Sequence, residues 1–248
     1  MNKILIVPDV HGRDFWKLSS YDEYDKIIFL GDYLDHYPGE SDNDHDIDNF
    51  EEIIQFKKDN PDKVVLLLGN HDWPYYNNTI YRAEEYWCRH DHKNHNIIHK
   101  LFEDNTNLFQ LYYEIPNFCK AIEQEKILFT HAGFTNHYFD KTSELFDTTD
   151  IHKILEDLFK PENHPALIFY VSYFRGGFSE SGSIVWADVR EHGETKNKYL
   201  KQYFQVFGHT YCKSEIIKED IGIAMLDMGK CCFEMDDNGI RRVSSNNE

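Results

Sequence analysis

Apolar and polar positions alternate along this chain in blocks rather than residue by residue. Five short apolar runs stand out: KILIVP at residues 3–8, KIIFL at 26–30, KVVLLL at 63–68, KILF at 126–129 and YFQVF at 203–207. Continuous runs of this length, bounded by turn residues, predict strands buried on both faces. A helix is predicted over residues 47–58, where Ile47, Phe50, Ile53, Ile54 and Phe56 fall largely on one stripe and Asn60-Pro61-Asp62 ends it. Strand, helix and strand in that order predict a parallel sheet covered on both sides. A short helical stretch is expected around residues 14–20, another helix over 148–159, and a hairpin pairing 118–121 with 126–130 around Glu123-Gln124-Glu125. Residues 73–117 are aromatic and His-rich and read as a helical cap insertion. Further strands are expected at 166–174, 184–187, 215–218, 221–227 and 231–235. A β-rich C-terminal third implies a second sheet packed on the first. Residues 1–243 read as a single catalytic domain and 244–248 as a frayed tail.

Each of the five strong runs ends in polar residues with metal-ligand chemistry. The tips are Asp9-Val10-His11-Gly12, Gly31-Asp32-Tyr33-Leu34-Asp35, Gly69-Asn70-His71-Asp72, Thr130-His131-Ala132-Gly133 and Gly208-His209-Thr210. Strand ends are where an α/β sheet presents its chemistry. One Asp after a strand is ordinarily a turn residue, and His131 alone would read as a hydrogen-bonded loop histidine. Five such tips together have no packing explanation. Asp9 and His11, two apart, can point the same way off an extended segment. Carboxylate, amide and imidazole without thiolate suit Mn, Fe, Zn, Co or Ni. Asp9, His11, Asp32, Asn70, His131 and His209 exceed the needs of one tetrahedral ion and fit two divalent ions sharing Asp32, with manganese the expected metal. Two ions ~3.5–4 Å apart suit in-line displacement at phosphorus. His71 sits beside Asn70 and is assigned as general acid. Asp35 is assigned as the partner that fixes its tautomer.

Composition narrows the class further. The net charge of −18, from 26 basic and 44 acidic residues, disfavours long nucleic acid and anionic membranes as partners. A 41% hydrophobic and 15% aromatic content excludes disorder. No apolar run approaches the ~20 residues of a membrane span. Cys88, Cys119, Cys212, Cys231 and Cys232 have no framework spacing and read as reduced thiols of a cytoplasmic protein. The sequon Asn77-Asn78-Thr79 carries little weight without a secretory signal. No G-x-S-x-G, Walker loop or G-x-G-x-x-G is present, which disfavours serine hydrolases, kinases and dehydrogenases. His90, His92, His95 and His99 are read as a solvated polar face rather than a second metal site. Trp73, Tyr75, Tyr76, Tyr81, Tyr86 and Trp87 are read as cap packing.

The tips D-x-H-G, G-D-x-x-D, G-N-H-D, H-A-G and G-H-T, in that order, resemble the calcineurin-like metallophosphoesterases. Val185-Trp186-Ala187-Asp188 and Leu226-Asp227-Met228-Gly229 resemble segments of the phosphoprotein-phosphatase branch, which includes serine/threonine phosphatases and diadenosine tetraphosphatases. The resemblance runs from about Lys3 to Met235. It implies a mixed α/β fold, a four-layer αββα sandwich of two mixed sheets flanked by helices. It implies Asp9, His11 and Asp32 on one metal, Asp32, Asn70, His131 and His209 on the other, and His71 with Asp35 as the acid pair. The expected activity is attack of metal-bound hydroxide on a phosphate monoester, in a phosphoprotein or a small molecule. Dinucleoside polyphosphate hydrolysis, phosphodiester hydrolysis and a non-catalytic scaffold are the alternatives. The branch usually carries Arg directly after G-D-x-x-D to grip phosphate, and here that place holds His36. Arg175, Arg190 and Arg13, with His36 itself, are the remaining candidates for substrate binding.

Overall fold

The computed structural model describes residues 3–79, 89–160, 167–193 and 198–243. Two mixed sheets carry the fold. The first holds β1 (Lys3–Val7), β2 (Lys26–Phe29), β3 (Val64–Leu67), β4 (Phe109–Gln110), β10 (Phe233–Asp236) and β11 (Gly239–Arg242), in the order β11-β10-β1-β2-β3-β4. β1 to β4 run parallel, whereas β10 is antiparallel to both β1 and β11. The second sheet holds β5 (Tyr113–Pro116), β6 (Lys126–Phe129), β7 (Tyr203–Phe207), β8 (Ile216–Lys218) and β9 (Ile223–Met225), in the order β5-β6-β7-β9-β8. Here β6, β7 and β9 are the parallel strands.

Alternation along the strands builds two cores, because successive side chains leave opposite faces. Ile4, Ile6, Ile28, Leu30, Val65 and Leu67 pack with Ile115, Ile127, Phe129, Phe204, Val206 and Leu226, which joins the two sheets. Leu5, Val7, Ile27, Phe29, Val64 and Leu66 face the other way and pack with Phe50, Ile53 and Ile54 of α1 (Asn43–Asp59). Both faces are covered, so the strands read as unbroken apolar runs. Truncating one of these side chains to Ala costs roughly 2–5 kcal/mol. Helix α1 starts where the Asp42 carboxylate accepts the His45 N–H at 2.9 Å, with Asp44 and Asp46 in its first turn and Lys57 and Lys58 in its last. Such a cap contributes about 1 kcal/mol. The other α-helices among the described residues are α2 (Trp73–Tyr76), α3 (His95–Asp104), α4 (Asn136–Leu145) and α5 (Ile151–Leu158).

Several expectations need correction. The helical reading of residues 73–117 fails at its C-terminal end, where β4 and β5 pair into the two sheets. The antiparallel partner of β6 is β5, rather than residues 118–121. Residues 14–20 form turns instead of a helix. Residues 167–172 and 184–187, unlike the exposed Tyr173 and Phe174, are largely buried but do not form strands. Their backbone is folded on itself, with Ser183 N–H bonded to Tyr170 O and Ser183 Oγ to Ile168 O, so their apolar content serves burial rather than a ladder. Helix α4 and strand β11 were not anticipated. Cys119, Cys212, Cys231 and Cys232 are free thiols, while Cys88, Tyr81, Tyr86 and Trp87 lie outside the described residues. No described helix is long and apolar enough to cross a membrane.

Candidate active site

All five polar tips follow the carboxyl ends of parallel strands: β1, β2 and β3 in one sheet, β6 and β7 in the other. They meet. His131 Nδ1 donates to Leu30 O at 2.8 Å, and the His209 N–H donates to Asp9 Oδ1 at 2.9 Å, so residues of one sheet are bonded directly to tips of the other. The chain turns sharply to achieve this. Among the described residues, six that are not glycine have left-handed φ, and four of them are His11, Asp32, Asp35 and His209. Such conformations persist only where the surroundings enforce them, and they mark functional positions. Two glycines make room. A Cβ on Gly69 would stand 2.1 Å from Asp32 Oδ1, and one on Gly208 would stand 2.3 Å from Asp9 Oδ1.

The hydrogen-bond partners assign the imidazole tautomers. His11 Nδ1 faces Leu34 O at 2.8 Å and His131 Nδ1 faces Leu30 O. A carbonyl only accepts, so both Nδ1 atoms carry the proton and both Nε2 atoms are bare lone pairs. Those lone pairs point at further acceptors. His11 Nε2 lies 3.6 Å and His131 Nε2 3.5 Å from the same oxygen, Asp32 Oδ2. His131 Nε2 also lies 3.0 Å from Asn70 Oδ1 and 3.2 Å from His209 Nδ1, while the buried His209 Nε2 has no hydrogen-bond partner. Bare nitrogens set against carboxylate and amide oxygens suit a cation between them. Asp32 Oδ1 is spent on the His71 N–H at 2.9 Å, which leaves Oδ2 as the shared oxygen.

Two ligand groups emerge with Asp32 in both: His11, Asp32 and His71, and Asp32, His131 and His209. Asp9 is buried beside them, its carboxylate held by the His209 N–H. Burial, and then the charge of Asp32, push the Asp9 carboxyl up to about 7. Asp227, at the end of β9, is raised well above the usual carboxylate range by burial and by Asp9. Burial holds His11, His131 and His209 below the usual imidazole range, hence neutral and ready to ligate. Three buried carboxylates and three bare imidazoles fit divalent cations with nitrogen and oxygen preference.

His71 Nδ1 faces two acceptors, Asp35 Oδ2 at 2.9 Å and Arg89 O at 3.1 Å, so it is the protonated nitrogen. Burial opposes a charge on His71, but Asp32 and Asp35 outweigh it and raise its pKa above the ordinary imidazole value. Asp72 braces the ligand loop. Its Oδ2 accepts the Asp32 N–H at 2.8 Å and the Gly69 N–H at 2.7 Å, and its Oδ1 accepts the Tyr33 N–H at 3.0 Å.

The residues expected to grip substrate are placed differently. His36 Nδ1 bonds Asp46 Oδ2 at 2.9 Å. Arg13 pairs with Glu40 at 2.8 Å and donates to Gly229 O. Arg190 makes a fork to Asp188 at 2.7 and 3.1 Å. Arg175 stands at the site, but it braces the His209 loop through His209 O at 3.0 Å and Thr210 Oγ1 at 2.7 Å, and it pairs with Asp188. Trp186 packs edge-on against His209. The histidines of the 90–99 segment are hydrogen-bonded within the chain: His90 to His95, His95 to Asn78 and His99 to Tyr75 O. Sequence reasoning missed Arg89 and Tyr75 as site residues. Tyr75 donates to Asp35 Oδ1 at 2.6 Å, and Arg89 Nε donates to Asp35 O at 2.9 Å.

Two mixed sheets whose parallel strand ends converge on a shared carboxylate and flanking imidazoles define a metal-binding centre of the phosphoesterase kind. The family model for calcineurin-like phosphoesterases matches residues 3–212, and the chain belongs to that family. A curated relative named "Probable serine/threonine-protein phosphatase", from Encephalitozoon cuniculi, is 26% identical over 156 residues, which cover 60% of this chain and 31% of that protein. The chain therefore spans about a third of that relative. Among solved structures, a protein serine/threonine phosphatase from Saccharomyces cerevisiae superposes with a TM-score of 0.54 at 12% identity, covering 100% of this chain and 81% of the other. A cold-active protein-tyrosine phosphatase of a Shewanella species gives 0.52 at 17% identity, covering 98% and 77%. At these identities the structures establish the shared fold.

Proposed function

We propose that this protein is a dinuclear metal-dependent phosphohydrolase acting on phosphate monoesters, of the serine/threonine-phosphatase or small-molecule phosphatase type. The observation that carries the reading is the position of Asp32 Oδ2 between the bare Nε2 atoms of His11 and His131. One cation would be held by Asp9, His11 and Asp32, the other by Asp32, Asn70, His131 and His209, with manganese the expected metal. When bound, such a pair supplies Lewis acidity to the phosphoryl oxygens and an acidified water as nucleophile.

The chain's own residues supply the rest. His71 presents Nε2 to the site while Asp35 and Arg89 O hold Nδ1, so it can deliver a proton from Nε2 to the leaving oxygen. Asp35 keeps that ring oriented and favours its charged form. Asp72 fixes Asp32 through the backbone. The test compares p-nitrophenyl phosphate with bis(p-nitrophenyl) phosphate on Mn²⁺-loaded protein. Hydrolysis of the monoester is expected to exceed that of the diester. Bound metal with no turnover of either compound would overturn the proposal.

A further inference from the structure

Every sequence-nominated phosphate grip is already committed to a carboxylate. Arg13 has Glu40, His36 has Asp46, and Arg175 and Arg190 share Asp188. Arg89 differs. Among the described residues no carboxylate pairs with its guanidinium. Its Nε donates to a backbone carbonyl, Asp35 O, at 2.9 Å. One face of the fork lies over the Tyr37 ring, 3.7 Å from its centroid. Its Nη2 is 3.4 Å from both ring nitrogens of His11.

That placement is electrostatically incomplete. His11 Nδ1 already donates to Leu34 O, and its Nε2 faces Asp32 Oδ2 and the site proposed for a cation. A guanidinium beside that position is repelled by the cation unless an anion lies between them. A phosphoryl group meets the need, since its oxygens can bridge a metal and a planar Arg fork with charge-assisted hydrogen bonds. The fork is also preorganised: Asp35 O pins one edge and Tyr37 one face, so little side-chain entropy is lost on binding.

We propose that Arg89, carried by the cap segment, is the residue that anchors the substrate phosphoryl group, in the role for which the position after Asp35 offers only His36. The same residue touches the acid, because Arg89 O accepts from His71 Nδ1 at 3.1 Å. Phosphate anchoring and acid orientation therefore meet at one point of the chain. The inference rests on the phosphohydrolase reading and adds a binding residue to it.

The test titrates inorganic phosphate into Mn²⁺-loaded protein by calorimetry, with metal content and Tm measured in parallel. Arg89→Met keeps the aliphatic stem over Tyr37, and Arg89→Lys keeps the charge but loses the fork. Both are expected to retain metal and to weaken phosphate binding roughly 10- to 100-fold. Lys100→Ala, on the exposed face of the cap, is expected to bind phosphate like the wild type. Arg89→Met that retains metal and binds phosphate within two-fold of wild type overturns the proposal. Loss of metal in both Arg89 variants also overturns it, because Arg89 would then be a structural brace. A wild-type protein that holds no metal overturns the phosphohydrolase reading itself, which separates the two failures.

Discussion

The hydroxyl of Tyr75 donates to Asp35 Oδ1 at 2.6 Å, on the carboxylate whose other oxygen accepts from His71 Nδ1. Tyr75 is buried, accepts the Asp91 N–H at 2.7 Å and stacks on His90 at 4.2 Å. Burial, and then the charge of Asp35, keep its phenol protonated, so it acts as a fixed donor. On the proposed function, Tyr75 is a positioning residue that ties α2 to Asp35 and, through it, to His71. Tyr75→Phe is expected to lower kcat by roughly 3- to 10-fold, the effect of one hydrogen bond, with KM little changed. Steady-state kinetics across pH check this. Unchanged kcat and an unmoved pH profile would show that Asp35 needs no help.

His71→Asn tests the acid directly. Turnover of an alkyl phosphate, whose leaving group needs a proton, is expected to fall by ~10²–10⁴ with metal content retained. A good leaving group such as p-nitrophenolate is expected to suffer less. An equal loss on both substrates would assign His71 to the ligand group it forms with His11 and Asp32 instead.

Gly208→Ala probes how closely the tips are packed. The added Cβ would lie 2.3 Å from Asp9 Oδ1, so the carboxylate must move. Metal content is expected to drop, and turnover to fall by roughly 100-fold, as small misplacements do in such sites. Elemental analysis and kinetics on the purified variant provide the measurement. Full metal content at wild-type rate would show that Asp9 has slack.

His192 gives a pH prediction. It is buried, stacks on Phe207 at 4.5 Å and bonds Ala132 O, and burial pushes its pKa down to about 4. The folded protein therefore favours the neutral ring. Its contribution is fully present above the unfolded pKa of ~6.5 and is lost as pH falls toward about 4. Relative to His192→Gln, metal-free wild type is expected to lose up to ~3 kcal/mol over that interval. Urea unfolding of both proteins at several pH values measures the difference, and parallel pH dependences would refute it.

The parallel strands and their tips were legible because two chemical demands coincide there. Burial on both faces makes β1, β2, β3, β6 and β7 continuous apolar runs, and convergence makes their ends polar in a way packing does not require. Asp9, His11, Asp32, Asn70, His131 and His209 become candidate ligands on that pattern. Apolar content misled at residues 167–172 and 184–187, since buried loops need it as much as strands do. Helix α4 was missed although the Thr135 side chain caps it, because its apolar residues Tyr138 and Phe139 are too few to set a period. Arg89 was invisible for another reason. Its meaning lies in contacts with Asp35, Tyr37 and His11, more than fifty residues earlier in the chain, and no local pattern encodes those contacts.

On the proposed function, Asp32 Oδ2 is shared between two cations. Metal stoichiometry of wild type and Asp32→Asn, measured after saturation with Mn²⁺ and removal of free ion, tests it most directly. Two ions per chain are expected in wild type and fewer than one in Asp32→Asn. A single ion in the saturated wild type, or two ions retained by Asp32→Asn, would contradict it.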